Sequence, residues 1–67
     1  MELLTPKQTQ RIFNCSLAMV YKLADTGRLP CVRIPSLGEG KKPKDTIRFK
    51  KDDVFDFIER HYQKPTN

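Results

Sequence analysis

The sequence predicts a small α+β domain in which two short helices joined by a tight turn precede a two-stranded β-hairpin, and a third helix closes the core. Three observations predict it. Helix-start signals occur twice near the beginning of the chain, at Thr5 and Ser16. Two stretches alternate in polarity, "CVRI" at 31–34 and "TIRF" at 46–49, on either side of a loop rich in glycine and lysine. Finally, "KKDDVFDFIERH" places Val54, Phe57, Ile58 and His61 at i, i+3, i+4 and i+7, the spacing of one helical face.

The first helix follows from "TPKQ". Thr5 accepts from the amide of the third helical residue, Pro6 suits the first helical position, and Gln8 reaches back to complete a capping box. The helix should begin at Pro6, bury Thr9, Ile12 and Phe13, and end at Phe13 or Asn14, since asparagine tolerates the left-handed conformation that closes helices. Ser16 then caps a second helix. Only three or four residues separate the two, which suits a helix-turn-helix. Val20, Leu23 and Ala24 should face the first helix, leaving Ala18, Tyr21, Lys22 and Asp25 on other faces, and Gly27 with Pro30 beyond it stops the helix.

The hairpin is expected to put Val32, Ile34, Ile47 and Phe49 on one face and Arg33 with Arg48 on the other. Like charges side by side on a ribbon are destabilising unless compensated, and phosphates would compensate them. The connecting loop carries Gly38, Gly40, Lys41, Lys42, Pro43 and Lys44 without apolar period, as expected of a flexible basic tip. Its "GEGKKPK" is not a phosphate-binding P-loop, because no Gly-Lys-Ser/Thr ending and no following helix are present.

In the third helix Asp52 and Asp53 occupy the positive end of the dipole, with Arg60 and His61 near the negative end. Phe55 and Tyr62 should widen its apolar stripe, while Asp56 and Glu59 face outward, where DNA would repel them. The expected division is a domain over residues 1–62 and a frayed tail over 63–67, which Pro65 keeps out of the helix. Together the elements make a winged helix-turn-helix, the hairpin being the wing.

A 67-residue chain forms one domain and buries only about 60% of the surface its unfolded form exposes. A deep cofactor pocket would compete with so thin a core, so the expected mode of action is binding through the surface, with no cofactor. The net charge of +5 is uneven: +1 over 1–27, +6 over 28–51 and −2 over 52–67. A localised positive segment selects a polyanion, nucleic acid ahead of a membrane surface. Cys15 and Cys31 do not make a disulfide framework and read as reduced, partly buried thiols. With His61 they have no metal-site spacing, so no metal is expected, and no residue set completes a catalytic constellation. No signal peptide and no membrane-spanning run is present, giving a cytoplasmic expectation.

The run "LLTPKQTQRIFNCSLAMVYKLADTGRLPCVRI", followed by "IRFKKDDVFDFI", resembles the excisionase family of small DNA-binding proteins and, more widely, the helix-turn-helix half of MerR-type regulators. The features that carry the likeness are "LTP", "VYKL" after Ser16, "GRLP" leading into "VRI", and "IRF" leading into the last helix, over residues 3–58. The resemblance implies a recognition helix in the major groove, a wing in the adjacent minor groove, and bent DNA. Carried onto this chain, the major-groove positions are Leu17, Ala18, Tyr21 and Lys22, with Ser16 as cap. Leu17 stands where arginine is common and Ala18 where a polar residue is common. Both can touch a thymine methyl but cannot hydrogen-bond a base, which leaves base-edge hydrogen bonding to Lys22 and Tyr21. Tyr21 also suits a half-buried place in the core with its hydroxyl outward. In the wing, longer than the family's usual turn, Lys41, Lys42 and Lys44 are expected on phosphates, and Arg33 and Arg48 in or beside a narrow minor groove.

The role this implies is that of an excisionase, a recombination directionality factor of a mobile element acting on double-stranded DNA beside an integrase. Small transcriptional regulators share the pattern. MerR-type proteins dimerise through a long C-terminal helix, and no heptad run follows here, so monomeric binding with cooperativity only between adjacent DNA sites is expected. A third reading is a protein-interaction adaptor that keeps the fold and docks through Leu17, Met19 and the last helix.

Overall fold

The computed structural model describes residues 2–37 and 45–65. In chain order they form β1 (Leu3–Leu4), α1 (Pro6–Phe13), α2 (Leu17–Asp25), β2 (Val32–Ile34), β3 (Thr46–Lys50) and α3 (Lys51–His61). The strands make one antiparallel sheet in the order β1-β3-β2. The arrangement is a winged helix-turn-helix, α+β in class, with one strand more than the sequence reading gave.

Local chemistry sets both helix starts. The Gln8 amide donates to the Thr5 hydroxyl at 3.1 Å, and the Thr5 amide donates back to Gln8 Oε1 at 2.9 Å. This is the predicted capping box, satisfying two amides that the first turn leaves without helical partners. Asn14, at φ 55° and ψ 48°, ends α1 in the left-handed conformation. Two residues later the Met19 amide donates to Ser16 Oγ at 3.1 Å, so the turn between the helices is hardly longer than the two caps. Gly27, at φ 75°, closes α2. There the Arg28 amide donates to the Leu23 carbonyl at 3.0 Å and the Gly27 amide to Ala24 at 3.1 Å, the paired bonds of a Schellman motif.

The core consists of Leu4, Val20, Ala24, Leu29, Phe49 and Val54, with Phe13, Cys15, Leu23, Cys31, Ile47, Phe57 and Ile58 packed on it. Among the described residues Thr9 is the buried polar one, and its hydroxyl donates to the Thr5 carbonyl at 3.0 Å. Both cysteines are free and half-buried, as expected of small apolar thiols. Three expectations about burial need correction. Ile12 is 37% exposed on α1, and Phe55 and Tyr62 stand out at 45% and 62% instead of widening the α3 stripe. The core accepts only Val54, Phe57 and Ile58 from that helix, because a domain this small has too little interior for a broader face. His61 is exposed as well; its ring stacks on Phe57 with centroids 4.1 Å apart while Nδ1 donates to the Phe57 carbonyl at 2.9 Å.

The larger correction concerns the hairpin. Val32 pairs with Arg48, Arg33 with Ile47, and Ile34 with Thr46. Residues directly opposite in an antiparallel pair share a face, so Arg33 and Arg48 lie on opposite faces of the ribbon and not together. The core face of the chain entering β2 is set earlier, by Leu29 and Cys31, and Arg33 continues that alternation past the edge of the core. Val32 and Ile34 consequently share the outer face with Arg48 and Thr46, and Ile34 is 43% exposed.

Candidate nucleic-acid interface

Ala18, Tyr21, Lys22 and Asp25 fall at i, i+3, i+4 and i+7 on α2, and all four are exposed. The opposite side of the helix buries Val20 and Ala24 in the core. A short capped helix with one packed side therefore presents one free side, of the width that enters a DNA major groove. Leu17, expected on that surface, is only half-exposed, being the first residue after the Ser16 cap. The leucine that motivated an adaptor reading is thus only partly exposed, while Met19 is 47% exposed.

The free side of α2 borders two depressions. Tyr21 lines a groove of about 600 Å³ with Pro6 at the start of α1, Arg33 on β2, and Asp45, Thr46, Ile47 and Arg48. Lys22 lines a second, about 280 Å³, with Met19, Leu23, Thr26 and Arg28. The structure thus brings Tyr21 and Arg33 to one cleft between the helices and the wing, with Arg48 bordering it from the β3 edge on the other face of the ribbon, and sets Lys22 beside Arg28. Sequence reasoning passed over Arg28 as a contact, although "GRLP" carries it directly behind α2.

The two wing arginines are held differently. Arg33 Nη2 donates to Asp25 Oδ1 at 3.0 Å, linking the last residue of α2 to the middle of β2. That hydrogen bond is the main cause that raises the Arg33 pKa, with the charges of Cys31, Asp25 and, least, Asp45 adding to it and burial opposing it. Arg48 instead turns back along its own strand, with Nη1 donating to the Ile47 carbonyl at 2.8 Å. β1 ends opposite Phe49, so no strand covers that side of β3 at Ile47, and the guanidinium supplies the missing donor. Arg48 therefore supports the sheet edge besides bordering the cleft. Lys41, Lys42 and Lys44 lie outside the described residues.

α3 carries a net negative charge, with four acidic residues against Lys51 and Arg60. Asp52, Asp56 and Glu59 are exposed on α3, where Asp56 pairs with Arg60 Nε at 3.1 Å. Against α3, the apolar side chains Phe13, Cys15, Met19, Leu23, Phe57 and Ile58 line a shallow groove of about 440 Å³. Among the described residues no helix is long and apolar enough to cross a membrane.

Compared with known protein families, residues 3–62 match the family described as helix-turn-helix domain. No curated protein and no solved structure matches the chain.

Proposed function

The chain belongs to the helix-turn-helix domain family and is a DNA-binding protein of that kind, and from that premise we propose that it is an excisionase-like architectural factor of a mobile element. In this reading α2 enters the major groove through Ala18, Tyr21 and Lys22. The wing follows the backbone into the neighbouring minor groove, bringing Arg33 and Arg48 to its mouth and Lys41, Lys42 and Lys44 to phosphates. The duplex bends to meet both. Phosphate contacts would set position and α2 would set sequence.

The observation that carries the proposal is the separation of two surfaces. The segment over residues 28–51, which holds the wing, carries the basic charge, whereas α3 exposes Asp52, Asp56 and Glu59, which DNA repels. An acidic helix kept off the duplex leaves a face for a neighbouring protein, and an integrase bound at an adjacent site is the partner the excisionase reading supplies. On this account the protein acts as a monomer in the cytoplasm, cooperative only through adjoining DNA sites.

An integrase-dependent excision assay with and without the protein tests the role, and a gel-mobility assay on permuted sites tests the bend. Stimulated excision with bent DNA is expected. Specific binding without any effect on recombination would instead assign the protein to small transcriptional regulators, which use the same interface.

A further inference from the structure

Asp25 is the unexpected member of the recognition face. It shares the exposed side of α2 with Ala18, Tyr21 and Lys22, where a carboxylate repels phosphate. It is also the last residue of the helix, the end at which the dipole disfavours a negative charge. Neither the DNA-facing position nor the helix end accounts for an acid there. Its partner does: Arg33 Nη2 lies 3.0 Å from Oδ1.

Both side chains are well exposed, 64% for Asp25 and 45% for Arg33, and an ion pair so open to water adds little to folding stability. Its consequence is better sought in where it puts the guanidinium. Arg33 is fixed on the cleft side of the hairpin, next to Tyr21 and within the field of Asp45. An arginine without such a tether would sweep the wing surface and engage any phosphate in reach, adding affinity without selectivity. Tethered, it favours one orientation toward DNA.

We propose that Asp25 is a specificity-determining residue of the DNA-binding surface, one that holds Arg33 in the cleft between α2 and the wing and withholds it from indiscriminate phosphate contact. The inference deepens the DNA-binding reading and rests on it. It makes Asp25 a positioning residue: the carboxylate acts through Arg33 and does not itself contact the duplex.

The test is a fluorescence-anisotropy titration of a labelled random-sequence duplex at several salt concentrations, using wild type, Asp25→Asn, Arg33→Ala and the double variant. Asp25→Asn should bind the random duplex about three- to tenfold more tightly at low salt. Its log–log salt slope should steepen by about 0.9, the share of one additional phosphate. In the Arg33→Ala background the same substitution should give a clearly smaller gain, the part due to relieved repulsion of phosphate alone. A gain undiminished without Arg33 would show a bulk charge effect and overturn the proposal, as would Asp25→Asn binding no more tightly than wild type. Failure of wild type to bind any duplex at low salt would overturn the DNA-binding reading itself, a distinguishable outcome. Asparagine keeps the size and shape of aspartate without its charge, and Asp25→Ala serves as a second variant with the same expectation, each checked by thermal melting.

Discussion

Neighbouring residues on α2 divide between different surroundings, and this sets what each substitution should do. Lys22, on the free side of the helix, borders a depression with Met19 and Arg28, so its ammonium is available to a base edge or a phosphate. Lys22→Ala should narrow the affinity gap between a selected site and random duplex, whereas Lys42→Ala should weaken all duplexes alike and flatten the salt slope; competition titrations distinguish them, and equal effects from both would refute this division. Gly27 makes a different kind of contribution. A Cβ there would meet nothing within 4 Å, yet φ of 75° is a conformation that L side chains resist. Gly27→Ala should therefore cost about 1 kcal/mol by chemical denaturation, through backbone strain alone, and it should loosen the turn that delivers Leu29 to the core. Both helix stops, Asn14 and Gly27, were legible in the sequence, because left-handed closure needs few residue types and acts within a few positions.

The same locality explains which elements could be read and which could not. The capping box at Thr5 and Gln8 and the cap at Ser16 depend on residues three apart, and each formed as its motif predicts. Thr5→Ala should lower stability by about 1 kcal/mol, measurable by thermal or urea melting. β1 was missed because two leucines carry no period; its partner is β3, some 45 residues later, and the Lys51 amide reaches back to the Glu2 carbonyl at 2.9 Å only once the chain has folded. Leu4 pairs with Phe49 and is buried with it, so Leu4→Ala should cost about 3 kcal/mol, a large share of what a domain of this length has. The face of β2 was misread for the opposite reason. Its alternation was visible, but which parity faces inward depends on Leu29 and Cys31 upstream and on a register with β3 that nothing in "VRI" specifies. That one-residue difference is what separated Arg33 from Arg48 and brought Arg33 to Asp25.

At the scale of the whole molecule, function follows from how little the fold hides. The core is thin, most charges lie on the surface, and they are sorted along the chain, with +6 over residues 28–51 and −2 beyond them. A duplex approaching the basic side would meet α2, Arg28 and the wing together, while α3 stays clear. The most direct measurement of this account is the salt dependence of wild-type binding to a labelled duplex, set beside a variant with Lys41, Lys42 and Lys44 each changed to glutamate. With about five phosphates neutralised, the wild-type log–log slope should be near −4 to −5, and the variant should lose most of its affinity and several units of that slope. Undiminished binding by the variant, or no salt dependence in the wild type, would contradict a DNA interface built from α2 and the wing.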